Sequence, residues 1–152
     1  MSNPVKHVTF YREAGSTRIL SPEEERAYLA AASQPLRDIA RVMLDTGMRP
    51  EEVFRIETAK LDFIERTILN PFGKTAAARR KLTMTDEVWS ILKRRSISSN
   101  SPYVFSSPDN AEKPIGSVRK AHDGAARRAK IAPDFRLYDL RHTYASRAVM
   151  GE

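Results

Sequence analysis

A chain of 152 residues has room for one domain of ordinary size and little room for two. Its 26 Lys and Arg against 19 Asp and Glu give a formal charge of +7, which favours a polyanionic partner, nucleic acid first. The absence of cysteine excludes disulfides, thiolate metal sites and thiol nucleophiles.

His7, His122 and His142 lie too far apart in sequence to suggest a ligand cluster, so neither a metal nor a cofactor is expected. No apolar run approaches a membrane span and MSNPVKHVTF lacks a signal-peptide core, which leaves a cytoplasmic protein without membrane association as the expectation.

Residues 1–20 carry mixed charge without a sustained period and read as an arm or linker; the domain proper is expected over 21–152. It opens on SPEEE, where Ser21, Pro22 and Glu24 form a capping-box pattern for a helix to about Ser33. A second helix follows Pro35, with Leu36, Ile39, Ala40, Met43 and Leu44 on one stripe and Gly47 at its C-terminal end. Pro50 starts a short third helix, which puts Met48 and Arg49 on a tight corner.

The period then shortens. KLDFI, TILN and RKLTM read as three antiparallel strands, with Gly73, Lys74 and Thr75 in the connection between the second and third. Thr85 caps a helix through Arg95 that turns Val88, Ile91 and Leu92 inward, and Trp89 reads as packing. A loop follows, with Tyr103 to Phe105 pinning it to the core. A helix over Ser117–Lys130 is apolar at Val118, Ala121, Ala125 and Ala129, and a last helix begins near Leu137. The fold class is therefore mainly α with a small three-stranded antiparallel sheet, an α+β arrangement.

TGMRPEEV, FGKTAAARRKL and LYDLRHTYAS are distant in sequence, yet each sets a cation on rigid backbone. Two arginines and a lysine converging on one point suit a phosphodiester: guanidinium forks match phosphate oxygens, and such donors stabilise the extra charge of a pentacoordinate transition state. Taken singly, each of these cations is more simply a solvated charge or a local salt bridge. These three motifs, in this order and spacing and preceded by ILSPEEE, resemble the catalytic domain of the tyrosine recombinase (phage integrase) family over nearly the whole chain from about residue 18.

The resemblance implies that Arg49 is the first catalytic arginine, Glu52 the acidic residue supporting it, Lys74 the hairpin lysine acting as general acid to the 5′-hydroxyl leaving group, and Arg141 the second arginine. Tyr138 stands where the family usually has histidine; a phenol can donate to a phosphate oxygen but is a poor proton acceptor near neutrality. His142 is expected to make a structural contact. Arg79, Arg80, Arg119 and Arg127 are expected on or near a DNA-binding groove. The expected partner is double-stranded DNA, with other recombinase protomers in a synaptic complex as a further one.

The family places a further His or Trp and the tyrosine nucleophile several helical turns beyond the second arginine. None of Tyr11, Tyr28, Tyr103, Tyr138 and Tyr144 matches that place, and Tyr144 would have to attack a phosphate held by its near neighbour Arg141. The chain is thus expected to be a partial catalytic domain, cleaving and rejoining DNA through a phosphotyrosine in the complete protein and binding without cleavage by itself. Two other readings are a non-catalytic DNA-binding relic and a helix-turn-helix regulator built on residues 121–141; the second leaves Arg49 and Lys74 without a purpose.

Overall fold

Helix α1 (Pro22–Ala31) begins where the capping pattern puts it: Ser21 Oγ accepts from the Glu24 amide at 3.1 Å, and Glu24 Oε1 accepts from the Ser21 amide at 3.0 Å. In the computed structural model, residues 18–70, 80–131 and 133–151 are described, and structural statements concern these. Five further helices follow: α2 (Leu36–Thr46), α3 (Pro50–Phe54), α4 (Asp86–Ile97), α5 (Arg119–Arg128) and α6 (Asp139–Val149). A three-stranded antiparallel sheet, β1 (Leu61–Asp62), β2 (Thr67–Asn70) and β3 (Arg80–Thr83), lies between α3 and α4 in the chain, in the order β1-β2-β3.

Helix α2 is the axis of the core. Leu36, Ile39, Ala40, Val42 and Met43 are fully buried, and the helix packs against α1, α3, α4 and α6. An apolar stripe at helical spacing accounts for this, since burial of each large side chain contributes roughly 1.5–3 kcal/mol. Charge adds a second tie on the outer side. Glu25 of α1 meets Arg147 of α6 at 2.6 Å and Arg41 of α2 at 3.5 Å, so one carboxylate joins three helices.

The sheet is small because Asp62 ends its first strand. Its Oδ1 accepts from the amides of Ile64 at 3.0 Å and Glu65 at 2.9 Å, an Asx-type turn that curtails the strand expected over KLDFI to two residues. A 3₁₀ turn over Thr58–Lys60, also unexpected, precedes it. Ile68 pairs with Leu61 on one side and Leu82 on the other, placing a buried apolar side chain of β2 at the middle of the sheet. Trp89 packs edge-to-face on Phe63 and donates its indole N–H to the Phe63 carbonyl at 3.0 Å, a packing role as expected. Val104 and Phe105 are buried and fasten the long loop after α4 to the core.

Two features bring distant motifs together. Gly47 closes α2 in the left-handed conformation, φ +76°, with its amide on the Met43 carbonyl at 2.9 Å. Helix α6 lies against α2 with Leu140 and Thr143 fully buried, and Thr143 Oγ1 accepts from the Leu20 amide at 3.1 Å. The corner at 47–49 and the start of α6 therefore face each other.

Candidate functional site

Arg49 is the residue before α3, and its surroundings fix it twice. Its backbone amide donates to Glu52 Oε1 at 2.9 Å, half of a capping box whose other half is absent because a guanidinium has no acceptor. Its Nη1 reaches the other oxygen of the same carboxylate at 3.4 Å, and its Nε donates to the Tyr138 hydroxyl at 3.0 Å. Glu52 is buried, so both contacts are made by a carboxylate with little freedom to move. The hydroxyl of Tyr138 at its Nε, followed by the charge environment of Tyr138 and Glu52, holds the Arg49 guanidinium above its already high range. It is a permanent cation.

Arg141 arrives from the other side. Three residues after Tyr138 on α6, it donates from Nη1 to the Gly47 carbonyl. Both guanidiniums are thus bound to one corner, Arg49 as part of it and Arg141 to its backbone. Tyr138 accepts from Arg49 through its hydroxyl oxygen, which leaves the O–H itself to donate to a ligand. The set is open to solvent: the Arg49 side chain is 49% exposed and Tyr138 37%. The guanidinium N–H groups that these contacts leave over are donors of the kind that matches a tetrahedral oxyanion.

Beside this corner lies a cleft of about 490 Å³ bounded by Pro50, Phe54, Arg119, His122, Phe135 and Arg136. Arg119 and Arg136 bring positive charge to its lining, and Asp123 adds one carboxylate. Its floor is held by Tyr28, whose hydroxyl lies 2.7 Å from His122 Nδ1, while His122 Nε2 lies 3.1 Å from the Phe135 carbonyl. That carbonyl can only accept, so Nε2 carries the proton and Nδ1 accepts from the phenol.

Residues 18–150 match the phage integrase family. The chain belongs to that family. It is 28% identical over 141 residues to the integrase of Salmonella phage P22, a match that takes in 85% of this chain and 36% of the phage protein. Its fold is similar to that of XerA recombinase, with a TM-score of 0.74, 22% identity and coverage of 88% of this chain and 50% of the other. It is equally similar to the Tn1549 transposon integrase solved with transposon right end DNA, with a TM-score of 0.74, 19% identity and coverage of 88% and 54%. The chain therefore spans between about a third and half of these relatives, within the tyrosine recombinase catalytic fold.

Of the integrase-type residues read from the sequence, the structure brings Arg49, Glu52, Tyr138 and Arg141 to one place. Lys74 and Arg79 lie outside the described residues. Arg80 is the first residue of β3, across from Asn70. Arg119 is exposed at the start of α5 and lines the cleft, whereas Arg127 lies eight residues on, about 12 Å further along the helix axis, and does not line it. His142 makes a contact within the domain, through Nδ1 at 3.0 Å from Asp139 Oδ1.

Three participants went unread in the sequence. The Gly47 carbonyl as acceptor for Arg141 leaves no trace at sequence level. Arg136 in the cleft is one basic residue among many. Asp139, fully buried, takes the Arg136 amide on one oxygen at 2.8 Å and His142 on the other, and its spacing of three before His142 on a helix was a usable signal. Among the described residues no group of three or more His, Asp or Glu is placed to hold a metal ion, and no helix is long and apolar enough to cross a membrane.

Proposed function

We propose that this chain is the phosphodiester-binding part of a site-specific DNA recombinase, which in the complete protein breaks and rejoins strands through a phosphotyrosine. The observation that carries the reading is the joint anchoring of Arg49 and Arg141 on the corner at 47–49, with the Tyr138 hydroxyl bonded to Arg49. Arg49 and Arg141 bind the phosphate and stabilise the charge that develops on its oxygens, Tyr138 adds a hydrogen bond, and Glu52 aims Arg49. Lys74 is assigned the proton for the leaving 5′-oxygen from its motif alone. Arg119 and the net charge of +7 extend binding along the DNA backbone. The DNA in the Tn1549 integrase complex supports the choice of partner.

By itself the chain is proposed to bind without cleaving. Tyr28 is fully buried, and burial, then the charge of Asp123, pushes its phenol well above the usual range, away from nucleophilic use. Tyr138 is engaged by Arg49, and the ring of Tyr144 lies against the Gly47 α-carbon. In-line attack needs an oxygen opposite the leaving group, which these positions do not supply. Binding to duplex DNA should weaken steeply with salt, each neutralised phosphate contributing about −0.9 to the log–log slope. With a nicked duplex that traps cleavage, no covalent adduct should appear on a denaturing gel. Salt-independent binding sinks the phosphate assignment, and an adduct lost in Tyr144→Phe sinks the proposal that the chain does not cleave.

A further inference from the structure

Resting on the phosphate site above, we propose that His142 is a further phosphate-contacting residue of that site, one that binds DNA as the imidazolium and is aimed for this by Asp139. Three observations meet in it. His142 lies one helical turn after Tyr138, so the two share a face of α6, and their rings stand 5.7 Å apart. Tyr138 is in turn bonded to Arg49, which sets His142 next to the cationic corner. The Nδ1 edge is turned to a carboxylate that is itself fully buried and doubly engaged, with the Arg136 amide on its second oxygen.

A carboxylate can only accept, so Nδ1–H is the donor and the tautomer is fixed. Nε2 is then the atom left for a ligand: it has no protein partner among the described residues, and the side chain is 28% exposed. In the neutral ring Nε2 presents a lone pair, which does nothing for a phosphate oxygen. Protonated, it presents an N–H and a positive charge, the buried carboxylate supporting the imidazolium from behind. The bound phosphate therefore favours the protonated ring, and binding takes up a proton.

Other charges surround the group. Arg141 and Asp139 lie on its own helix, Asp134 and Arg136 on the segment before it, Arg49 and Glu52 on the corner, and Arg18 and Glu24 on the stretch that packs across α6. The three histidines and the α-amino group are the groups whose ordinary range lies near pH 5.5 to 7.5, so His142 is separated from the others by variants and by its own NMR signal. His122 has both ring nitrogens occupied inside the core, and His7 is handled by its own variant.

The test is the affinity of the 152-residue chain for one fixed duplex, by fluorescence anisotropy at constant ionic strength from pH 5.5 to 7.5. Affinity should rise as pH falls, by about three- to tenfold across the range, since uptake of one proton limits the change to about tenfold per pH unit. His142→Gln should flatten the profile, so that its loss of affinity relative to wild type grows as pH falls. His7→Gln should keep the wild-type profile, and Arg141→Ala should keep its shape at lower affinity. The imidazole Cε1–H signal of His142, followed by NMR in the wild-type chain, should titrate at higher pH with the duplex than without it, a readout independent of any variant. A flat wild-type profile, a profile that survives His142→Gln, or a His142 signal indifferent to DNA overturns the role of His142 and leaves the phosphate site standing. Failure of the wild-type chain to bind DNA at any pH removes both.

Discussion

Arg141→Ala should lower the affinity of the chain for duplex DNA by about tenfold or more, the largest loss expected from any single cation among the described residues. The Arg141 fork reaches the site from α6 and is already tied through Nη1 to the Gly47 carbonyl, so it is ordered before a ligand arrives. A charge-assisted hydrogen bond to such a group is worth roughly 1.5–3 kcal/mol, and tenfold in affinity is about 1.4 kcal/mol. The salt slope should also fall, by up to about 1, because one phosphate contact is gone. Stability should change less, by about 1 kcal/mol, since the Gly47 carbonyl loses one donor. Arg141→Lys should recover part of the affinity through charge but not the fork geometry. Arg119→Ala, at the edge of the cleft, serves as comparison and should cost less. Equal losses for Arg119→Ala and Arg141→Ala would mean that charge alone, and no shaped site, accounts for binding.

Gly47→Ala should destabilise the fold by about 2 kcal/mol and weaken DNA binding with it. At φ +76° a β-carbon carries a left-handed penalty of roughly 1–2 kcal/mol, and here it also meets a wall. A Cβ built on Gly47 would lie 2.4 Å from Tyr144 Cδ2 and 2.6 Å from Cε2. The ring must move, and it does so at the glycine whose carbonyl is the acceptor of Arg141. For a chain of this length the loss should appear as roughly 4–8 °C in Tm. Gly116→Ala, where an added Cβ finds nothing within 4 Å, should be close to neutral. In the double variant Gly47→Ala with Tyr144→Ala the steric part should be relieved and the backbone part kept, a coupling that a double-mutant cycle resolves. A Tm for Gly47→Ala within a degree of wild type would contradict the packing at this corner.

The helices were legible in the sequence wherever a local rule sufficed. Ser21 with Glu24, Pro50 at a helix start, Thr85 as a cap and Gly47 as a terminator each act within one turn of chain, and each is found in that role, Thr85 Oγ1 accepting from the Val88 amide at 3.2 Å. The first strand was read too long because a single side chain, Asp62, bends the backbone away from an otherwise suitable apolar pattern. His122 was passed over on a helix read from its alanines; its burial depends on Tyr28, 94 residues earlier, which no window along the chain contains.

The site divides in the same way. Arg49, Glu52, Tyr138 and Arg141 were found through motifs, and their residue types already suited a phosphate. Their mutual arrangement was not legible, because it runs through a backbone carbonyl at Gly47 and a phenol oxygen 89 residues from its donor. Asp139 was hidden for another reason: an acidic residue in the first turn of a helix is ordinarily a solvated partner of the dipole, and only the structure shows it buried and holding His142.

The most direct measurement is an NMR titration of the arginine side chains in the 152-residue chain, uniformly labelled with ¹⁵N, as a short duplex is added at low salt. If Arg49 and Arg141 hold one phosphate, their Nε–H signals, assigned through Arg49→Lys and Arg141→Lys, should shift together along a common binding curve. Arg94 and Arg95, which are turned to Asp38 at 3.2 and 2.7 Å on α4, should stay in place. Arg49 and Arg141 signals that move with different affinities, or that stay fixed while the arginines of α4 respond, would contradict a shared phosphate site at this corner.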